Sequence, residues 1–578
     1  MFDLLKKYTK DGWWAAVLGP VFTIFEVAVD AFIPLVMSSI IDRGIYELGG
    51  DMNYIWGRGA LMVGLAVLGA LFGSASGLFS SIASTRFIRN IREAMFSKIQ
   101  DFSFENIEKY PVPTIVARMT TDMRMLRMAY VSIVRMLIRA PFNLILSAYF
   151  VFTLNPSLAR VFAFVLPVLG FGLVFIFMKA HPRFRQMMLK FDGLNANLEE
   201  NIEGIRVVKT FVREDYENER FRGSSEAVRT AQRHAENIVI LNRPFFELVM
   251  YSCMIIIAWL GGRDVIAGTM TTGNFMAYIS YIRGILFALL MISNVFLQIV
   301  MAQASVDRAN EILYEEPRIR DDDADPELKV EDGSIEFRDV SFRYSADAQS
   351  DALNDIDLKI GPGEVIGILG PTGSSKSTLV QLIPRLYDVS KGEVLVGGHN
   401  VKEYKLENLR DAVAMVLQKN TLFSGTIEEN MKWGDPNATH EQIVEACTYA
   451  QADDFIQRMP KKYDTELGQG GVNVSGGQKQ RLCIARALLK HPKIIILDDS
   501  TSAVDTDTDH RIQLALKEKL GGMTTIIIAQ RVASVKEANR IIIMNEGSIQ
   551  DIGNHEELMA RNDVYRDLYN TQMEGALE

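Results

Sequence analysis

A chain of 578 residues exceeds what one hydrophobic core can organise, so two or more domains are expected. Its net charge of -10 argues against a nucleic-acid partner, because neutralising phosphates takes a basic surface. The apolar share of 48% is ordinary as an average but unevenly spread, with runs of membrane-spanning length in roughly the first three hundred residues and a charged, glycine-punctuated α/β pattern after them.

Met1 to Lys10 is short and basic, and the apolar stretch after it is long enough to remain as an anchor, so no cleavable leader is expected. No additional domain is expected ahead of that span, so maturation or peptidase roles are not expected. A hydrocarbon core of roughly 30 Å needs about 20 apolar residues per helix. Six stretches qualify, at about 13–40, 56–84, 131–154, 158–180, 243–267 and 273–300. Lys6, Lys7 and Lys10 precede the first. The links between spans two and three and between four and five are long and rich in Lys and Arg, from Arg86 to Arg127 and from Lys179 to Arg233. The links at Asn155–Arg160 and Gly261–Val265 are short and nearly free of them. The positive-inside rule then predicts a multi-pass protein of the cell membrane with both termini and both long links in the cytoplasm.

The long links keep apolar residues at three-to-four spacing, so the helices should continue beyond the bilayer. Turning points are expected around Thr114–Thr120 and Gly204–Phe211. Ionisable groups inside spans are costly and face a cavity or a partner. Glu26 and Asp30, four apart, share a face; Glu247 lies near the start of the fifth span, and Arg135 and Arg139 lie on the third. Two readings stay open: acid–arginine pairs that pack helices together, or groups lining a substrate path. Met250, Met254, Phe275, Met276, Phe287, Met291 and Phe296 form either an adaptable apolar wall or ordinary lipid-facing and packing surface. Cys253, Cys447 and Cys483 show no metal-ligand or disulfide spacing and read as small reduced core residues.

From Glu311 to Asp332 the chain is acidic and proline-containing and reads as a linker. Ile335–Tyr344 alternates like a strand. A second strand, Glu364–Leu369, runs into Gly370-Pro-Thr-Gly-Ser-Ser-Lys376-Ser377-Thr378 and then a helix. Strand, glycine-containing loop and helix N-terminus together make a P-loop, whose backbone N–H groups form an anion nest from Gly370 through Thr372, Gly373, Ser374 and Ser375. Lys376 would reach the terminal phosphates of ATP, and Ser377 would ligate Mg²⁺. Ser375 stands where the pattern has its second glycine; a left-handed backbone there would cost about 1–2 kcal/mol. Ile494–Asp498 is an apolar strand ending in a carboxylate suited to Mg²⁺.

The run Val474-Ser475-Gly476-Gly477-Gln478-Lys479-Gln-Arg-Leu-Cys-Ile-Ala-Arg486 completes the set. P-loop, SGGQ signature and acid-ended strand in this order, after six spans, resemble an ABC transporter half with a type IV exporter-like membrane domain. The resemblance covers essentially the whole chain. It implies an all-α six-helix transmembrane domain (1–305), a linker (306–332) and an α/β P-loop NTPase domain (333–578). By the same resemblance Tyr344 would stack on adenine, and Gln418 would sense Mg²⁺ and the membrane domain. Ser475, Gly476, Gly477 and Gln478 would contact ATP held by the other subunit, and Asp505 would be the D-loop acid at the dimer interface. The family pairs two such domains head to tail around two ATP molecules.

Two departures stand out. Asp499 occupies the position of the glutamate that orients the attacking water, and Gln530, after the strand Thr524–Ala529, that of a histidine. Asp retracts the carboxylate by about 1 Å, and a misplacement of that size can cost on the order of 10²-fold in rate. Gln can donate a hydrogen bond to the terminal phosphate but cannot carry the positive charge of an imidazolium. A backbone shift restoring Asp499 is the competing reading. The expected protein is one half of a heterodimeric exporter of amphipathic drugs or lipids, with a degenerate ATP site and an intact signature for a second half-transporter. A homodimeric lipid flippase and a nucleotide-sensing regulatory subunit are the alternatives.

Overall fold

The computed structural model describes residues 2–322, 324–345, 350–499, 504–519 and 521–574. Two compact units emerge, one of Met1–Gln100 with Val112–Glu315, the other of Asp101–Pro111 with Glu316–Glu578.

The first unit is helical. Among the described residues five helical stretches are long and apolar enough to cross a membrane: Lys10–Glu47, Met52–Gln100, Val112–Leu154, Glu214–Ile266 and Thr272–Tyr314. The span expected at 158–180 falls inside the helix Pro156–Glu203, where several side chains lie outside the described residues. Short links are built from strong caps. Asn155 accepts hydrogen bonds from the backbone N–H groups of Ser157 and Leu158, with Pro156 at the first helical position, where a missing N–H costs nothing. Thr271 caps the last helix through the Asn274 N–H. Small residues let the first two spanning helices approach: Gly19 lies against Ser80, Gly69 against Asp30 and Gly73 against Glu26. Cys253, Cys447 and Cys483 are buried and free.

One expected turning point is displaced. Thr114–Thr120 is helical, in Val112–Ala117 and the wider turn Arg118–Asp122. The break comes earlier, in Asp101–Pro111, around the short helix Phe104–Lys109 whose cap is Ser103. Pro111 closes that break, directly before the helix Val112–Ala117. The second turning point holds: Pro156–Glu203 ends at Gly204, followed by the single turn Ile205–Thr210 and a positive φ of 52° at Val212.

The second unit is built on a six-stranded sheet in the order Ser548–Gly553, Arg540–Asn545, Val365–Leu369, Thr524–Ile528, Ile494–Asp498, Val413–Val416. All neighbours are parallel except the first pair. Burial on both faces explains the unbroken apolar runs. Ile495, Leu497 and Ile527 point into one core, and Ile494, Ile496, Ile526 and Ile528 into the other. A four-stranded antiparallel sheet including Ile335–Phe342 and Leu353–Ile360 covers the second core. The expected arrangement, a helical membrane region followed by an α/β P-loop domain, is the one found.

Candidate functional site

Parallel pairing brings four strand ends to one edge. Ile528 is in register with Ile368 on one side and Asp498 on the other, and Val416 with Leu497. The P-loop, Asp498–Asp499, Gln530 and Gln418 therefore all emerge at the carboxyl ends of neighbouring strands, where open α/β sheets bind ligands.

The loop after Leu369 curls through positive φ at Gly370, Gly373 and Ser375. A Cβ at Gly370 would sit 2.2 Å from the Met544 carbonyl, so glycine is required for that approach. Ser375 occupies the left-handed region at φ 66°, ψ 26°, the strained geometry its position implied. The Lys376 ammonium donates to the carbonyls of Gly370 (2.8 Å) and Pro371 (2.9 Å) and to Ser374 Oγ (3.3 Å), which folds it back over the loop. Burial pulls the Lys376 pKa down, against the opposing pull of Asp498 and Asp499.

Ser377 Oγ donates to Asp498 Oδ1 at 3.0 Å. Asp498 is buried, and desolvation raises its pKa, with Asp499 adding to the shift. Serine and carboxylate oxygens at one point form a hard donor set that fits Mg²⁺. Tyr344 OH pairs with Thr378 Oγ1 at 2.9 Å, and its ring meets Phe342 and Tyr387 edge-on at 4.8 and 5.3 Å. Tyr387 OH in turn donates to Glu108 Oε1 at 2.7 Å, tying the Phe104–Lys109 helix to this aromatic cluster.

Asp499 adopts φ 48° while its N–H donates to the Ile528 carbonyl at 3.0 Å, continuing the parallel ladder. Gln530 Nε2 donates to Asp499 Oδ2 at 2.8 Å. The two unusual residues thus meet directly, which nothing in their sequence spacing announced. Gln418 is exposed beyond its strand.

The signature begins its own helix, Gly476–Leu488. Ser475 and Gln478 form a reciprocal cap: the Gln478 N–H donates to Ser475 Oγ and the Ser475 N–H to Gln478 Oε1. Val474 is buried beneath it, while Ser475 and Gly476 are exposed at an N-terminus polarised for anions. Asp505 Oδ1 accepts from the Thr508 N–H at the start of the helix Thr506–Lys519, and that bond holds its carboxyl low.

In the membrane unit Arg139 donates to Glu26 Oε1 at 2.7 Å and lies 3.6 Å from Asp30 Oδ2. Arg135 reaches the Gly73 carbonyl at 3.4 Å. Glu26 and Asp30 are brought together with Arg139, whereas Glu247 pairs along its own helix with Arg243 at 2.9 Å.

Comparison with known proteins bears on the two units as a whole. Residues 16–290 match the family model described as ABC transporter transmembrane region, and 353–502 the one described as ABC transporter. The chain is 34% identical to the uncharacterised ABC transporter ATP-binding protein YfiB of Bacillus subtilis (strain 168), over 96% of this chain and 95% of the relative. It is 35% identical to an ATP-dependent lipid A-core flippase of Desulfotalea psychrophila, over 84% of each. It is 30% identical to B. subtilis YgaD, an ATP-binding/permease protein provisionally assigned to multidrug export, over 99% and 98%.

Proposed function

Since the chain belongs to the ABC transporter family as an exporter subunit, an ATPase-coupled membrane transporter, we propose that it is one half of a heterodimer whose own phosphate site retains ATP and hydrolyses it slowly. The observation that carries this reading is the 2.8 Å hydrogen bond from Gln530 to Asp499 beside a phosphate loop that keeps Lys376 and Ser377.

Binding and turnover ask for different groups. Binding needs the anion nest from Gly370 to Ser375, Lys376 for the terminal phosphates, the Ser377–Asp498 pair and Gln418 for Mg²⁺, and Tyr344 for the base. In supplying those groups the chain is suited to MgATP. Turnover needs a carboxylate that holds water in line with the terminal phosphate. Asp499 is short for that role, and one of its oxygens already accepts from the Gln530 amide. The Asp499 N–H bond to Ile528 keeps the backbone in strand register, which speaks against a slide that would offset the lost methylene. Gln530 brings an uncharged amide in place of an imidazole.

The exposed, capped start of Gly476–Leu488 supports a competent contribution in the other direction: Ser475 to Gln478 would complete a site on the partner's P-loop, with Asp505 at the interface. A homodimer would instead hold two impaired sites. We assign the pair to the cell membrane, with both termini in the cytoplasm. Its cargo is amphipathic lipids or drugs, the classes for which the flippase and export relatives are named. ATP hydrolysis by the purified chain alone and with the partner half-transporter tests this reading. Weak activity alone and strong activity in the pair is expected; brisk turnover by the lone chain overturns it.

A further inference from the structure

The C-terminal helix Asp563–Glu574 buries one face. Tyr565 is 1% exposed and belongs to a core of the second unit, with Leu568 and Tyr569 packed against it. Gln572 follows at the next position of that i, i+3, i+4, i+7 stripe, a polar residue where the pattern otherwise places apolar ones. Its amide is spent on the segment after the strand Thr524–Ile528. Gln572 Nε2 donates to the Gln530 carbonyl at 2.9 Å, and Gln572 Oε1 accepts from the Val532 N–H at 2.8 Å. A single side chain thus holds both sides of Arg531, as a neighbouring strand would hold a backbone. The same Gln530 sends its own amide to Asp499.

We propose that Gln572 is a positioning residue of the nucleotide site: the C-terminal helix clamps Gln530–Val532 and so holds the Gln530 amide against Asp499. This rests on the reading of Gln530 as a group facing the terminal phosphate of ATP. ADP lacks that phosphate, so the clamp should matter for ATP and not for ADP. Tyr565 OH meets His555 Nδ1 at 2.7 Å two turns away, so the helix keeps its docking when Gln572 alone is changed.

The test uses the full chain in detergent or nanodiscs with three variants, Gln572→Leu, Gln530→Ala and both together. Two quantities are measured: hydrogen exchange of the 529–533 backbone, and the ratio of ATP to ADP affinity. Gln572→Leu should accelerate exchange in that segment and lower the ATP preference about fivefold, the scale of one lost hydrogen bond. Gln530→Ala should lower it as much, and the double variant no further. Gln572→Glu, which keeps the acceptor for Val532 and loses the donor to Gln530, should fall between wild type and Gln572→Leu. Unchanged exchange overturns the clamp, as does an equal loss of ATP and ADP affinity or an additive double variant. Faster exchange with no effect of Gln530→Ala on nucleotide preference upholds the clamp and removes the phosphate-facing reading of Gln530.

Discussion

Gln530 Nε2 lies 2.8 Å from Asp499 Oδ2, so the two residues that depart from the hydrolytic pattern form one hydrogen-bonded pair. An amide and a carboxylate satisfy each other there without a proton to exchange. Changing one alone breaks the pair without rebuilding a catalytic one, so single and double substitutions should differ.

Asp499→Glu with Gln530→His is expected to raise ATP turnover at this site by about 10-fold or more, against the on-the-order-of 10²-fold cost of a misplaced group. Either single change should give much less. Turnover of the assembled pair, with the partner's own site disabled, checks this; a double variant no faster than the parent contradicts the degenerate-site reading.

Ser375 holds φ 66° without glycine's freedom. Ser375→Gly should stabilise the nucleotide-binding unit by about 1 kcal/mol and tighten ATP binding modestly. Thermal unfolding with and without ATP measures both effects, and a lower melting temperature would show that Ser375 makes a contact outweighing its strain.

Arg139 balances Glu26, which is 8% exposed, and Gly73 leaves the room: a Cβ there would stand 2.9 Å from Glu26 Oε1. Arg139→Met strands a buried acid and should destabilise the membrane unit by about 3 kcal/mol. Adding Glu26→Gln should recover much of that loss, because the charge left behind is removed. Melting in detergent reads the cycle; the absence of recovery would mean Arg139 stabilises by packing rather than charge.

His555 sits against Tyr565 and Tyr569, and desolvation pushes its pKa below the usual value, with Lys536 adding to that and Glu537 and Glu556 opposing it. The neutral ring is the form that fits. Its contribution to stability is therefore full above the unfolded pKa and is lost as pH falls through the lower folded value. The melting temperature of the nucleotide-binding unit should drop on mild acidification, and His555→Phe should flatten that dependence over the same range.

Much of this protein could be read along the chain. Gly370 to Ser377, Ile494 to Asp498 and Val474 to Gln478 are contiguous motifs whose chemistry follows from neighbours a few residues apart, and the spanning runs announce themselves by length. The same holds for the departures at Ser375, Asp499 and Gln530. Partnerships were another matter. Asp499 meets Gln530 across 31 positions, Gln530 meets Gln572 across 42, and Arg139 meets Glu26 across 113. Such distances close only when strand register and helix packing have brought the segments together, and periodicity carries no trace of which faces will touch. Phe104–Lys109 illustrates the same limit: its cap and the Pro111 after it mark a break, but its place beside Tyr387 follows from the folded sheet. Local spacing sets which groups a chain offers, because covalent geometry fixes what lies within a turn or a strand; long-range packing selects the partners, because many faces of similar pattern compete until one arrangement buries them all.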